Sequence, residues 1–452
     1  MQAWILRRLL FGGVVPANQL GSDVPVSPTP QEQDEALVWA LTTILERALP
    51  APAAAQAALP PTFVLVSLSG SPAADPPSLH VTRVHSSAEV SSFWQAHLAQ
   101  LHSPMGVLTF VYSLLLTRGV ATVRGDMDDS GSFLVGNFGH CAQELVNLCL
   151  TGAAVTNTFD GTKVLGDASD PSAFRLKGIP AQNEVGFLTL LEALRYSTVG
   201  EYYKSPRSPI WVIGSSNHYT VLFALDRRVG ALTTKQVKQR AARTAFDEID
   251  AENNGFIPVT ALPALLQKIR SSASSTHVPP GLSDEDVKRR LDPDGLGVIL
   301  WERVLTVLEQ WERQKDQLAA AAVQNVGVFN CGACTFLNSN PQAQTCEICG
   351  TPRPPPPAVV AAAAANAAKE AQVDIQNFVL YHFNGIEIPN PSDPSKPKSP
   401  CECVRVHVSV VEGGLPPQIQ GDAMGEAQGL KEILLTRWPS CILDIEGEAK
   451  IS

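Results

Sequence analysis

The chain has no excess of basic charge: 34 Lys and Arg stand against 44 Asp and Glu, a formal net charge of −10. An acidic surface repels phosphate backbones and anionic headgroups, so neither nucleic acid nor a membrane surface is expected as a partner. No apolar run approaches the roughly 20 residues needed to span a bilayer. A disulfide framework is also missing. Of nine cysteines, Cys141, Cys149, Cys401, Cys403 and Cys441 follow no spacing of the kind that paired secreted domains show. That usage suits a reducing cytoplasm or nucleus. The opening MQAWILRRLLFGG is basic and acid-free, as targeting peptides are, but it also sets Trp4, Ile5, Leu9 and Leu10 on one side of a helix. The amphipathic domain helix is the favoured reading.

What is present is a 452-residue chain with 44% hydrophobic residues, enough for two to four domains with real cores. Residues 34–49 have a helical pattern, and the Ala/Pro-rich 49–61 ends it. Thr62–Leu68 and His80–His85 read as strands, and Ser87 or Ser91 as the N-cap of a helix running to about 102. Residues 105–117 and 140–151 read as largely buried helices, and the acidic 125–132 between them as a surface loop. Pro209–Gly214 and His218–Leu225 read as strands joined tightly through Ser215, Ser216 and Asn217. A helical region of about 235–312 follows. After PRPPPP and an alanine-rich stretch, residues 377–384 and 403–411 return to strand character.

Cys331, Cys334, Cys346 and Cys349 form two Cys-x-x-Cys pairs eleven residues apart, which suits one tetrahedral structural Zn²⁺ held by four thiolates. Few apolar residues surround them, so metal binding must supply much of the folding energy. The segment FNCGACTFLNSNPQAQTCEICGTPRP resembles Ran-binding-protein or NZF zinc fingers in its cysteines, in Asn338 and in its closing Pro-Arg. It departs in having Phe329 where tryptophan is usual, and one extra residue between Asn338 and Cys346. The ubiquitin-binding branch of that class uses positions that Thr335, Phe336 and Ile348 fill here. Glu347 and Arg353 are the only charges from 326 to 354, so ubiquitin suits this segment better than RNA does.

His218 opens a strand directly after a tight turn, and Thr220 shares its face by the period-two rule. A histidine so placed can act as general base to a cysteine from another element. Together with MQAWILRRLLF, YSLLLTRG, FGHCAQELVNLCLTGAAVTNTFDG, VGFLTLLEALRY, GEYYKSPRSPIWVIGSSNHYTVLFAL and LLTRWPSCILDIEG, this resembles the MINDY deubiquitinases. Within them it resembles the branch with EF-hand-like loops, often called MINDY-3. The resemblance implies a papain-like cysteine-protease fold that cleaves isopeptide bonds in polyubiquitin, favouring linkage through ubiquitin's forty-eighth-position lysine. It implies His218 as the catalytic histidine and Thr220 as a supporting hydroxyl. The family's nucleophilic cysteine lies in a Gly-Gly-Pro-Cys segment just before the helix that matches QAWILRRLLF. Here that helix begins at Met1, so the nucleophilic cysteine and an upstream oxyanion-stabilising glutamine are absent. A missing true beginning is the expectation, and a noncatalytic ubiquitin-binding adaptor, a pseudoenzyme, is the rival. Cys141, beside His140 at the start of a helical pattern, is a tempting substitute thiolate, but the family has no nucleophile there and FGHCAQELVNLC also reads as a buried helix start, so it is not the expected nucleophile.

Two loops resemble EF-hands. The one starting at Asp250 keeps Gly255 and Ile257 but has Ala261 at position twelve. The one starting at Asp292 keeps Gly297 and Ile299 but has Leu296 and Arg303 at two ligand positions. The turn glycines and hydrophobic hinges remain while the calcium ligands are lost, so a degenerate scaffold without calcium is expected.

The expected architecture is α+β: a papain-like cysteine-protease domain over 1–230, a degenerate EF-hand-like helical module over 231–312, and a linker over 313–328. The four-cysteine zinc finger follows at 329–354, then a Pro/Ala-rich linker over 355–372 and the rest of the protease-like domain over 373–452.

Overall fold

The computed structural model describes residues 1–13, 28–50, 60–69, 78–136, 139–165, 173–215, 218–230, 234–250, 254–271, 283–311, 329–334, 337–338, 344–352, 377–385, 403–410, 426–439 and 441–446. The chain divides into two compact units. The first comprises Met1–Lys163, Phe174–Ala231 and Ile375–Ser452, and the second Val164–Ala173 and Leu232–Asp374. Among the described residues no single helix is long and apolar enough to cross a membrane.

The first unit opens with α1 (Gln2–Phe11), which buries Trp4, Leu9 and Leu10 as its apolar stripe requires. Helix α2 (Pro30–Ala48) starts four residues before its expected position. Thr29 and Glu32 exchange capping hydrogen bonds and Pro30 occupies the first turn. Strands β1 (Phe63–Ser69) and β2 (Ser78–Val84) pair antiparallel. Helix α3 (Ser87–Ala96) is capped by Ser86, not by Ser87 or Ser91: the Ser86 hydroxyl accepts the Glu89 N–H and donates to the Glu89 carboxylate.

Helix α4 (Gly106–Arg118) is two-faced rather than largely buried. Thr109, Ser113 and Thr117 line the inner face, where the Ser113 and Thr117 hydroxyls accept the Val66 and Val64 N–H groups. Those donors form an open edge of β1, and the helix closes it. Leu108, Tyr112 and Leu116 face outward. The acidic stretch after α4 is tied in at its start and surface-exposed over residues 129–132, as expected of it. Asp126 holds Arg118 through two hydrogen bonds, and Asp128 accepts from the Asn157 side chain and the Lys177 N–H. Helix α5 (Gln143–Thr151) ends at Gly152, whose φ of +86° suits glycine, and a Cβ there would sit 2.0 Å from the Arg47 carbonyl oxygen. Three strands of the main sheet come later: β3 (Gly186–Thr189), β4 (Ile210–Gly214) and β5 (Tyr219–Phe223).

The second unit carries two helix–loop–helix pairs, with helices α6 (Thr234–Asp247), α7 (Leu262–Ser271), α8 (Asp284–Leu291) and α9 (301–311). Between them, β6 (Phe256–Pro258) pairs with β7 (Val298–Leu300), setting Ile257 opposite Ile299. In the first loop the Asp250 carboxylate accepts the Asn254 and Gly255 N–H groups. In the second, Asp292 accepts those of Leu296 and Gly297. Gly255 and Gly297 have φ of +84° and +77°. Phe246, Ile257, Leu265, Val287, Ile299 and Trp311 form the shared core. The four-cysteine segment contributes the short pair β8 (Phe329–Asn330) and β9 (Leu337–Asn338).

The chain returns to the first unit with β10 (Asn377–Phe383), β11 (Val404–Val410), α10 (Glu426–Arg437) and β12 (Cys441–Glu446). The sheet order is β12-β11-β10-β5-β4-β3, antiparallel throughout except for parallel β3 and β4. Both faces are covered. Phe187, Ile210, Val221 and Phe223 join the core that contains α1 and α2, while Leu188, Trp211, Ile213, Leu222 and Leu380 join the one that contains Leu430, Ile433 and Leu434 of α10. Two-sided burial explains why these strands read as unbroken apolar runs instead of alternating ones.

Candidate functional site

The turn between β4 and β5 is closed at Ser215 and His218. The Ser215 N–H donates to the His218 carbonyl, and the Ser215 hydroxyl accepts the His218 N–H at 3.1 Å. His218, half-buried, therefore stands at the head of β5, held to Ser215 by two hydrogen bonds. Its Nε2 lies 2.8 Å from the carbonyl oxygen of Asn384, just past the end of β10. The next residue, Gly385, has φ of +67°, and a Cβ built there would lie 3.7 Å from the Gln2 side-chain nitrogen. Three segments remote in sequence thus meet at one place: the start of α1, the start of β5 and the end of β10.

Thr220 is buried, 1% exposed, and its hydroxyl is 2.9 Å from Nε2 of His382 on β10. The hydroxyl that was expected to support His218 is thus engaged by a different histidine. Sequence reading missed His382, since a lone histidine in an apolar strand carries no signal of its own. Burial, and then the charge of His218, push its pKa down to about 4, so it stays neutral at physiological pH.

Cys141 does not have the surroundings of a nucleophile. Helix α5 begins at Gln143, two residues later, and the Cys141 thiol points to the Ala142 carbonyl at 3.6 Å. Burial, then Cys149 and Glu144, push its pKa up to about 11. A group so disfavoured as thiolate reacts slowly, in line with reading this segment as a buried helix start and not as an activated thiol.

In the second unit the Cys331, Cys334, Cys346 and Cys349 sulfurs all lie within 4.8 Å of one another. Cys331 and Cys349 are 3.4 Å apart, and Cys334 and Cys346 3.6 Å. Four sulfurs placed tetrahedrally about 2.3 Å from a zinc ion would be roughly 3.8 Å apart, so the group can hold such an ion. The backbone N–H groups of Cys334 and Ala333 approach the Cys331 sulfur and lower its pKa. On the second pair, the Cys346 N–H donates to the Thr351 carbonyl and the Gly350 N–H to the Cys346 carbonyl, with Gly350 at φ +71°. Ile348 stands 67% exposed between two of the cysteines. Thr335 and Phe336 lie outside the described residues.

The family model "Deubiquitinating enzyme MINDY-3/4, conserved domain" matches residues 1–242, more than half of the chain. The chain belongs to the MINDY-3/4 family. It is 42% identical over 196 residues to the ubiquitin carboxyl-terminal hydrolase MINDY-3 of Bos taurus, covering 43% of this chain and 41% of that protein. The MINDY-3 homolog of Drosophila melanogaster is 35% identical over 223 residues, covering 49% and 37%. The probable MINDY-4 hydrolase of Mus musculus is 36% identical over 237 residues, covering 50% and 30%. The aligned part of the chain thus spans well under half the length of these curated relatives. No solved structure matches the chain. The MINDY-3/4 match includes His218, Thr220 and Cys141. His382, Asn384 and the four metal-spaced cysteines lie beyond it.

Proposed function

We propose that the chain is part of a thiol-dependent deubiquitinase that hydrolyses isopeptide bonds in polyubiquitin on a papain-like scaffold, with His218 as its catalytic histidine. The observation that carries this reading is the family match over residues 1–242, which includes His218 at the head of β5. His218 would accept the proton of a cysteine thiol. The sulfur then bonds to the isopeptide carbonyl carbon and the C–N bond breaks, with the imidazolium returning the proton to the leaving lysine amine. Water subsequently cleaves the thioester and frees the ubiquitin carboxylate. A reducing compartment, cytoplasm or nucleus, is the setting that free thiols require.

The four cysteines would hold one structural zinc ion, and Thr335, Phe336 and Ile348 would dock ubiquitin. A second ubiquitin contact on the same chain raises the effective concentration of a polymeric substrate. No calcium is expected in the loops headed by Asp250 and Asp292, because Ala261 and Arg303 offer no carboxylate.

A second reading, a ubiquitin-binding adaptor, rests on Cys141, whose half-buried thiol points to the Ala142 carbonyl and whose pKa burial pushes up to about 11. Cleavage of defined ubiquitin chains separates the two. The chain as given should not cleave. Preceded by a Gly-Gly-Pro-Cys segment ahead of α1 it should, and His218→Ala should then lower the rate by at least roughly 10²–10⁴-fold. A folded cysteine-bearing form that binds ubiquitin without cutting it would establish the adaptor. Cleavage by the chain as given that Cys141→Ser removes would move the nucleophile to Cys141. In either form, Phe336→Ala should weaken ubiquitin binding by about 2 kcal/mol, and unchanged titration shifts would remove the docking role.

A further inference from the structure

Two hydrogen bonds link β5 to β10 at the proposed catalytic end of the sheet, and both of the β10 partners lie outside the matched region. His218 Nε2 faces the main-chain oxygen of Asn384 at 2.8 Å, and Thr220 Oγ1 faces His382 Nε2 at 2.9 Å. A carbonyl oxygen can only accept, so the proton of a neutral His218 must reside on Nε2. Nδ1 is then its basic nitrogen, the one able to take a proton from a thiol. The Thr220 hydroxyl meets His382, while the ring of His218 meets the Asn384 carbonyl.

The direction of the Asn384 carbonyl depends on the peptide plane that Asn384 shares with Gly385. That plane is set by a φ of +67°, which L side chains other than asparagine and aspartate seldom adopt. Beneath it, the buried pair of His382 and Thr220 fixes how β10 lies against β5, where His382 stands opposite Leu222.

We propose that the end of β10 is the positioning element of the histidine: the Asn384 main-chain carbonyl holds His218 with Nδ1 free to accept a proton, and His382 clamps Thr220 to keep the two strands in register. The inference rests on the deubiquitinase reading for its consequence but not for its geometry. It implies that residues 1–242 alone do not form a complete site. The functional unit resumes after some 140 residues of intervening chain.

The first arm of the test requires no catalysis. Two-bond ¹H–¹⁵N spectra of the full chain, with His218 assigned by its loss in His218→Ala, should show a single tautomer with Nε2 protonated and that proton slow to exchange. Gly385→Val, which must rotate the peptide plane, should make the Nε2 proton exchange rapidly, and Gly385→Asn, which tolerates positive φ, should restore protection. Asn384→Ala should leave the spectrum as in the parent, because the acceptor is main chain. A rapidly exchanging His218 in the parent overturns the proposal, as does an unchanged His218 signal in a folded Gly385→Val protein.

The second arm uses any cleaving form of the protein. Gly385→Val and His382→Ala should each lower kcat roughly tenfold to a hundredfold with KM unchanged, as small misplacements of a reacting group do. His382→Gln, whose amide can still reach Thr220, should recover most of the loss. If His218→Ala abolishes cleavage while both β10 variants cut normally, the positioning proposal fails and the deubiquitinase reading stands. If His218→Ala still cuts at the parent rate, the reading itself fails, and the spectra alone decide the geometry.

Discussion

The two small modules of the second unit are opposite cases. The helix–loop pair has an apolar core of Phe246, Ile257, Leu265, Val287, Ile299 and Trp311, but no carboxylate at the twelfth position of either loop. The four-cysteine segment has four sulfurs gathered within 4.8 Å, able to hold a metal ion, and among its described residues only Cys331 and Cys346 are buried. The contrast shows when a metal can be dispensed with. Where apolar burial already outweighs chain entropy, the ion is optional and its ligands can drift. Where few described residues are buried, a bound metal would have to supply the folding energy.

The largest effect expected from this contrast is on the cysteine segment. If zinc is held there, removing it with a strong chelator should abolish the ordered amide signals of residues 329–334 and 344–352, because structural zinc supplies such small segments with about 10–16 kcal/mol. The helix–loop pair should keep its signals. Less than about half an equivalent of zinc in the folded protein, or a segment that stays ordered without it, would break the comparison.

Next in size is the complementary change. Phe246 is fully buried, with its ring edge-on to Trp301 at 5.4 Å. Phe246→Ala should therefore cost the helix–loop pair about 3–5 kcal/mol in denaturant unfolding. Ile348→Ala, at an exposed position of the cysteine segment, should change stability by less than about 0.5 kcal/mol. Equal losses would mean that the segment has a core after all.

A smaller effect would sharpen the contrast. Ala261→Glu returns a carboxylate to the twelfth position of a loop that already turns at Gly255 around Asp250. Melting should then become calcium-dependent, by up to about 2.7 kcal/mol at a hundredfold excess over Kd. If the variant melts identically in calcium and in chelator, the loop has lost more than one ligand's worth of geometry. The smallest effect belongs to the parent chain, whose melting temperature should not respond to millimolar calcium. A clear rise would show that the remaining loop oxygens suffice.

Local signals in the sequence were legible because their physics is local. Two Cys-x-x-Cys pairs constrain their own geometry, and the four sulfurs do converge. The strands at 209–214 and 218–225 stood out as apolar runs flanking a turn, and they form the β4–β5 hairpin. Three kinds of feature were hidden. Strands β3 and β12 and helix α10, short or of mixed polarity, acquire their identity only from the sheet they join. The inner face of α4 looks apolar by composition, yet its hydroxyls satisfy the edge of β1. At the candidate site, His218 announced itself by its turn, whereas the groups that hold it and Thr220 stand more than 160 positions further along the chain. No periodicity connects such distant residues.

Strand β5 ends at Phe223 and its antiparallel neighbour β10 begins at Asn377, with Phe223 directly opposite Tyr381. In topological terms this is a β-hairpin whose connecting loop has swollen to hold an entire folded unit. Loop closure grows only logarithmically with length, about 0.6 kcal/mol per doubling, so stretching a loop of some five residues to about 150 costs only about 3 kcal/mol. That cost shrinks further if the inserted modules fold first and shorten the effective loop. The hairpin junction is therefore a place where the chain can gain or shed whole modules at little thermodynamic expense, while the pairing that closes the sheet becomes one of the slowest to form.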